Sequence, residues 1–250
     1  MNIKVLRNVL EANDQLAARI RERLTAKHVT AINIISGPGA GKTSLLERTI
    51  PALKSRFRIA VLEGDIASTR DAERIEKVGA PVVQLLTGGA CHLEAALVER
   101  GLGEFDLDAL DLLFIENVGN IACPAEFDLG ETAKVGLLSV TEGDDKPAKY
   151  PLLFHEVAAL ALNKVDLLPY TNFDFDQFLR DFRKLNADAP VFQLSCKTGK
   201  GVGEWTHWLE HVAHGEIHVE PHTHDHADLD ATVQPHQHPH RQHHTGVTHE

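Results

Sequence analysis

Near the start of the chain, Ser36-Gly37-Pro38-Gly39-Ala40-Gly41-Lys42-Thr43 combines glycines, a lysine and a hydroxyl at the spacing of a phosphate cradle. An apolar run, Ala31-Ile32-Asn33-Ile34-Ile35, precedes it, and a helix-forming stretch, Ser44-Leu45-Leu46-Glu47-Arg48, follows. Strand, glycine-rich loop and helix form the context in which backbone N–H groups curl around phosphate at the positive end of a helix. The expected phosphate-binding set is Gly37, Gly39, Ala40, Gly41, Lys42, Thr43 and Ser44. Lys42 would reach the β- and γ-phosphates and the Thr43 hydroxyl would hold Mg²⁺. One letter departs from G-x-x-x-x-G-K-[ST]. Ser36 replaces the first glycine and must adopt a conformation that tolerates a Cβ.

Further polar motifs close other apolar runs, where ligands of a parallel sheet bind. Asp65 ends the run Arg58-Ile59-Ala60-Val61-Leu62-Glu63-Gly64, and Glu116-Asn117-Val118-Gly119 follows Leu112-Leu113-Phe114-Ile115. Asp65 and Glu116 are expected at Mg²⁺ beside Thr43, directly or through water. The plainer reading of Asp65 is a turn or helix-capping residue. The Gly119 N–H can meet a γ-phosphate oxygen, which makes its segment a sensor of the third phosphate. Lys42, Asp65, Glu116 and Gly119 are thus the expected catalytic set, with Asp65 also the candidate for positioning the attacking water. Asn163-Lys164-Val165-Asp166 matches the guanine-reading N-K-x-D. The Asp166 carboxylate can accept from guanine N1–H and the exocyclic amine, a donor pair that adenine lacks. Lys164 can lie along the base, and Ser195-Cys196-Lys197 follows the last strand as a loop over it. The nucleotide is therefore expected to be GTP or GDP.

The remaining chemistry is that of soft ligands. Cys91-His92 follows an apolar run and is expected to open a helix; Cys123-Pro124 lies just beyond Gly119. Two thiolates and an imidazole suit Ni²⁺ or Zn²⁺ and leave a coordination position free. The alternative is a pair of structural cysteines beside a helix-end histidine. Of the sixteen histidines, all but His28, His92 and His155 lie at or after His207. His222, His224 and His226 form one H-x-H-x-H run and His236, His238 and His240 another, followed by His243, His244 and His249. Interspersed imidazoles on a flexible chain can wrap a nickel ion. His207, His211, His214 and His218 also recur at helical spacing, opposite Trp205, Trp208, Leu209 and Val212. That stripe is either a solvated face or a set of metal-chelating pairs.

The elements that must position these residues alternate along the chain. Ile3, Leu6, Leu10, Ala17, Ile20 and Leu24 mark one stripe of a helix over 3–26, interrupted by Asn13. Strands are expected at 31–35, 58–62, 82–86, 112–115, 135–140, 158–162 and 191–194. Helices are expected after the glycine loop and at 69–78, 92–99, 174–185 and 202–213, with Pro51 kinking the first. Near-continuous apolar strands between helices predict an α/β fold, a mostly parallel sheet covered on both faces. The expected organisation is an N-terminal amphipathic helix over 1–30, a GTPase domain over 31–215 and a disordered histidine-rich tail over 216–250. A net charge of −11 argues against nucleic acid or an anionic membrane as partner. Few cysteines, no membrane-length apolar run and no signal-peptide layout suggest the cytoplasm.

Taken together, Thr87-Gly88-Gly89-Ala90-Cys91-His92-Leu93, Phe114-Ile115-Glu116-Asn117-Val118-Gly119-Asn120 with Cys123-Pro124, Ser139-Val140-Thr141-Glu142-Gly143 and Asn163-Lys164-Val165-Asp166-Leu167-Leu168-Pro169-Tyr170 resemble the HypB family. These are hydrogenase nickel-incorporation GTPases of the SIMIBI class of P-loop proteins. The resemblance spans about Ala31 to Gly215. It implies a GTP-dependent homodimer with a metal site of Cys91, His92 and Cys123 near the subunit interface. It also implies a small nickel chaperone and the hydrogenase large-subunit precursor as partners. Residues 1–10 lack the cysteine cluster that some relatives carry, and the histidines stand at the C-terminal rather than the N-terminal end. A urease-type nickel GTPase is the nearest alternative, although that family differs at the Cys-His stretch and at Glu-Asn-Val-Gly. A nickel-sequestering protein with a purely structural P-loop is the non-enzymatic one.

Overall fold

The structure, a computed structural model, describes residues 2–66 and 68–217. The side chains of Ile3 and Leu6, and the expected tail from His218 onward with its histidine runs, lie outside the described residues. In chain order the elements are α1 (Asn2–Ala26), β1 (Thr30–Ser36), α2 (Lys42–Leu53), β2 (Ile59–Asp65), α3 (Arg70–Lys77), β3 (Val82–Leu86) and α4 (Ala95–Leu102). They continue with β4 (Leu112–Glu116), β5 (Ala133–Ser139), α5 (Lys146–Lys149), α6 (Pro151–Glu156), β6 (Ala159–Asn163), α7 (Phe175–Leu185), β7 (Val191–Gln193) and α8 (Val202–Ala213). The seven strands form one sheet in the order β3-β2-β4-β1-β5-β6-β7, and every pairing is parallel.

Burial on both faces explains the apolar strands. In β1, Ile32 and Ile34 pack with Leu45 and Leu46 of α2 and Trp205 and Leu209 of α8. Ala31, one pleat over, belongs to the opposite core with Ala17, Ile20 and Leu24 of α1 and Val98 and Leu102 of α4. A third core joins Phe154 of α6 to Phe178 and Phe182 of α7. Each fully buried Leu or Ile contributes about 1.5–3 kcal/mol, so these layers set the fold despite the polar groups at the strand ends. Among the described residues no helix is long and apolar enough to cross a membrane.

The polar interruption in α1 is a docking point. Asn13 is buried; its Nδ2 donates to the Asp128 carbonyl at 2.8 Å and its Oδ1 accepts from Ala95 N–H, the first residue of α4, at 2.8 Å. One amide thus satisfies an orphan donor at a helix start and ties α1 to the loop before β5. Arg21, on the same helix, points Nη2 at both carboxylate oxygens of Asp128, at 2.6 and 2.7 Å.

Two local expectations change. Cys91-His92 do not open a helix: they lie in a bend, and α4 begins at Ala95. Leu93 is fully buried in the α1/α4 core, against the face of β2 where Gly64 has no Cβ, and Glu94 is extended, so the chain enters the core before it coils. The helices α5 and α6, each with Pro in its first turn, were not anticipated by the periodicity because they are too short to show it. Pro51 lies within the last turn of α2.

Asn13→Ala strips two buried groups of their partner and is expected to destabilise the protein by about 2 kcal/mol. Urea unfolding measures this, and a change within about 0.5 kcal/mol would show that α1 is not held through this amide.

Candidate functional site

All seven strands point the same way, so Ser36, Asp65, Glu116, Ser139 and Asn163 arrive at one edge of the sheet. The glycine loop leaves β1 there. Gly41, the residue before α2, has φ of 109°, a left-handed conformation that favours glycine over any residue with a Cβ. Ser36 is the last residue of β1 and is not among the described positive-φ residues, so its Cβ meets no backbone penalty. Its hydroxyl donates to the Gly37 carbonyl at 2.8 Å and accepts from Lys42 Nζ at 3.2 Å. The departure from the glycine pattern thus places a hydroxyl against the loop lysine. Burial pulls the Lys42 ammonium below its ordinary pKa, against the opposing pull of Glu116, Asp71, Glu63 and Glu142.

Behind the loop stands a group of three carboxylates, Glu63 and Glu116 buried and Asp71 half-buried. Thr43 Oγ1 donates to Glu116 Oε1 at 2.8 Å. Glu63 pairs in register with Glu116 across β2 and β4, and both are at most 3% exposed. Glu63, Asp71 and Glu116 offer oxygens within 4.8 Å of one another. Burial first, then the Glu116 charge, pushes Glu63 up to about 8, and burial pushes Glu116 up to about 7 against the pull of Lys42. Glu63 Oε2 and Glu116 Oε2 are buried without a hydrogen-bond partner. Such orphaned oxygens suit a hard divalent cation such as Mg²⁺. Asp65 is not a member of this group; its carboxylate accepts from the Ile66 N–H at 2.5 Å. Glu63 and Asp71 escaped the sequence reading. The signal for Glu63 was a carboxylate inside an apolar strand; for Asp71 none exists short of knowing where α3 docks. Arg74 does the docking, spanning Glu47, Ser44 and Asp71 at 2.7–3.0 Å.

The residues expected to read the base gather at the same edge. Asn163 Nδ2 donates to the Ala40 carbonyl at 2.9 Å, and its Oδ1 accepts from Lys164 N–H and Cys196 N–H. Lys164 is left-handed with φ of 61°, and its Nζ reaches the Gly39 carbonyl at 2.6 Å. Ser195 Oγ donates to Asp166 Oδ1 at 2.6 Å, which orients that carboxylate. Arg48 Nε donates to the Cys196 carbonyl at 2.7 Å, holding the Ser195–Lys197 loop to α2. Burial raises the Cys196 thiol to about 11, which keeps it uncharged. A cavity of about 510 Å³, lined among others by Gly41, Ser44, Asn163, Lys164, Asp166 and Lys197, connects the glycine loop to Asp166. Its position fits a nucleoside attached to phosphates in the loop.

Cys91, His92 and Cys123 offer ligand atoms within 4.8 Å of one another. Cys91 Sγ lies 3.8 Å from His92 Nδ1, and the His92 ring stacks on Phe127 with centroids 3.9 Å apart. A hydrogen bond with Cys91, followed by burial, pushes the Cys123 thiol above its ordinary pKa. A thiophilic cation would reverse that, since it binds the thiolate.

The segment between Glu116 and Cys123 touches both sites. A Cβ on Gly119 would stand 3.1 Å from Pro38 Cα, so its backbone lies against the glycine loop. Asn120 forms a bridge with Ser36, and its Nδ2 donates to the Cys91 carbonyl at 3.4 Å. Asn117 Oδ1 accepts from Leu93 N–H, one residue past His92, at 3.2 Å. In the sequence Asn117 and Asn120 stood only within the family-like motif, with no role of their own, because hydrogen bonds to segments distant in the chain leave no local signal.

The carboxylate group makes stability depend on pH. Both folded values, about 8 and about 7, lie above the ordinary 4.5. Their contribution is complete below the unfolded pKa and is lost as pH rises through the folded values. The metal-free protein is therefore expected to lose thermal stability from about pH 4.5 to about pH 8 and to level off above that. Mg²⁺ should reduce that loss and Glu63→Gln should flatten it. Unfolding followed by circular dichroism checks this, and equal slopes for Glu63→Gln and the parent would exclude Glu63 as the source.

Comparison with known proteins places this geometry in a family. Residues 31–193 match the model described as CobW/HypB/UreG, nucleotide-binding domain. The hydrogenase maturation factor HypB of Azotobacter vinelandii is 48% identical over 208 residues, covering 83% of this chain and 69% of that one. The crystal structure of HypB from Helicobacter pylori in complex with nickel superposes with a TM-score of 0.80 at 37% identity, covering 85% of this chain and 100% of that one. The crystal structure of the hydrogenase maturation factor HypB from Archaeoglobus fulgidus does so at 0.77 and 39%, covering 82% and 100%. With a family match over residues 31–193 and relatives at up to 48% identity over most of its length, this chain belongs to the HypB hydrogenase maturation factors of the CobW/HypB/UreG nucleotide-binding family.

Proposed function

We propose that this hydrogenase maturation factor is a GTPase that delivers nickel, and that its nucleotide state controls its grip on the metal. The observation that carries the reading is the short segment from Glu116 to Cys123. It lies on the glycine loop at Gly119, bridges to Ser36 at Asn120, and holds the Cys91-His92 bend through Asn117 and Asn120. A shift of that segment toward a γ-phosphate would move Cys123 relative to Cys91 and His92, altering a ligand set whose members stand only a few ångströms apart.

In this reading Lys42 leaves Ser36 for the β- and γ-phosphates and stabilises the charge that develops on transfer. Asp166, oriented by Ser195, accepts from the guanine edge. Mg²⁺, where bound, neutralises phosphate charge; Thr43 and Glu116 would hold it, with Glu63 and Asp71 close by and Asp65 acting through water. Asp65 is also the candidate for positioning the attacking water. Slow intrinsic turnover follows if a partner completes the site. Nickel, the cargo, or zinc in its place, would sit on Cys91, His92 and Cys123. The histidines from His222 to His244 would store nickel. Support for the nickel assignment comes from soft ligands in the right number and from the nickel complex of the H. pylori relative. A GTP-dependent homodimer, a small nickel chaperone and the hydrogenase large-subunit precursor are the proposed partners, and the cytoplasm the proposed compartment.

Nickel titrations with a non-hydrolysable GTP analogue and with GDP test the coupling. The parent is expected to show different affinities in the two states and Cys123→Ala to show the same one; an undiminished difference in Cys123→Ala would falsify it. Lys42→Ala should lower the GTPase rate by about two orders of magnitude, and an unchanged rate would favour simple sequestration. Asp166→Ala should weaken GTP binding by about 100-fold or more, measured by fluorescent-nucleotide displacement.

A further inference from the structure

The last helix carries two imidazoles that neither the nucleotide nor the cysteine chemistry uses. His207 and His211 are one turn apart on α8, on the side away from the buried Trp205, Trp208 and Leu209. Their Nε2 atoms face each other at 3.2 Å, with ring centroids 4.3 Å apart and planes inclined by 74°. The outer nitrogen of His211 is also engaged. Gly215 has φ of 69° and turns the chain back, so that Glu216 N–H donates to the His211 carbonyl at 2.9 Å and the Glu216 carboxylate meets His211 Nδ1. His214 Nδ1 stands 3.9 Å from the other oxygen of that carboxylate.

A carboxylate on Nδ1 holds the proton there and leaves the Nε2 lone pair of His211 pointing at His207. Two lone pairs at this distance repel unless a proton or a cation lies between them. Nitrogens bound at about 2.0–2.1 Å to one ion, with an angle of about 90–110° between the bonds, stand about 2.9–3.4 Å apart. The observed separation falls inside that range. Both rings border solvent, so water can fill the remaining coordination positions.

We infer that His207 and His211 form a two-imidazole chelate for a borderline divalent cation, Ni²⁺, Cu²⁺ or Zn²⁺, oriented by Glu216. Hard cations such as Mg²⁺ are not its ligands, because imidazole suits the later transition metals. The site is built on the folded domain and is separate from Cys91, His92 and Cys123. The chain that carries the remaining histidines, from His218 on, leaves directly from it. The helix thus offers a fixed holding point at the root of the histidine-rich segment.

The full-length chain can be tested by carbethoxylation of histidine with diethylpyrocarbonate, with and without Ni²⁺. Cleavage after glutamate separates 205–210, whose only histidine is His207, from 211–216, which holds His211 and His214. Ni²⁺ is expected to protect His207 and His211 together over the same concentration range, and Mg²⁺ to protect neither. His207→Gln should raise the Ni²⁺ concentration that half-protects His211 by at least about tenfold, and Glu216→Gln by about tenfold. Both positions border solvent, so the variants should keep the parent's circular dichroism and GTP-analogue binding. Unchanged labelling of His207 in Ni²⁺ would overturn the inference. So would His211 protection in His207→Gln equal to that in the parent, since the tail histidines would then account for it.

Discussion

A carboxylate buried at the end of a central strand, accepting from one hydroxyl and with its other oxygen unpartnered, is the constraint on which the site depends. Glu116 is held where desolvation penalises its charge, and Glu63 stands beside it on the next strand under the same penalty. An apolar interior would repel both groups. They stay because the sheet, sealed by isoleucine and leucine on both faces, leaves them no other place, and because their neighbours supply compensating charge. Lys42 answers from the glycine loop, and Arg74 brings Asp71 and Glu47 together from the flanking helices. The arrangement is a cluster of desolvated carboxylate oxygens held open beside the glycine loop.

The consequences run outward through backbone rather than through charge. The chain beyond Glu116 is pinned by amides: Asn117 to Asn33 of β1 and to the Leu93 N–H, Asn120 to Ser36 and to the Cys91 carbonyl. Two donor sets of opposite character, the hard carboxylate oxygen of Glu116 and the soft sulfur of Cys123, are thereby separated by only a few residues of bent chain. Behind them α1 acts as a brace. Its Asn13 and Arg21 hold Asp128, the residue after the Phe127 on which His92 stacks. The N-terminal helix is thus connected to the cysteine-histidine bend through one ring and one carboxylate.

Much of the architecture was legible in the residues because it is local. A strand buried on both faces must be apolar, and a loop that wraps phosphate must combine glycine with a lysine and a hydroxyl; such patterns survive without knowledge of any neighbour. Element ends were less legible. The start of α4 depends on Leu93 plugging into the core beside Gly64, a contact between segments far apart in the chain. Ser36 looked like a defect in a motif until the strand placed its hydroxyl against Lys42.

By itself, the sequence determined a parallel sheet and, at its strand ends, a glycine-lysine-threonine loop, an Asn-Lys-x-Asp motif and the candidate soft ligands Cys91, His92 and Cys123. Tertiary structure alone decided which of these touch. Strand order sets β2 beside β4 and so brings Glu63 to Glu116; the docking of α3 adds Asp71; the turn at Gly215 returns Glu216 to His211. The physical reason is that periodicity and motif spacing report what a segment needs from its surroundings, whereas the identity of its neighbour is set by packing between segments distant in the chain.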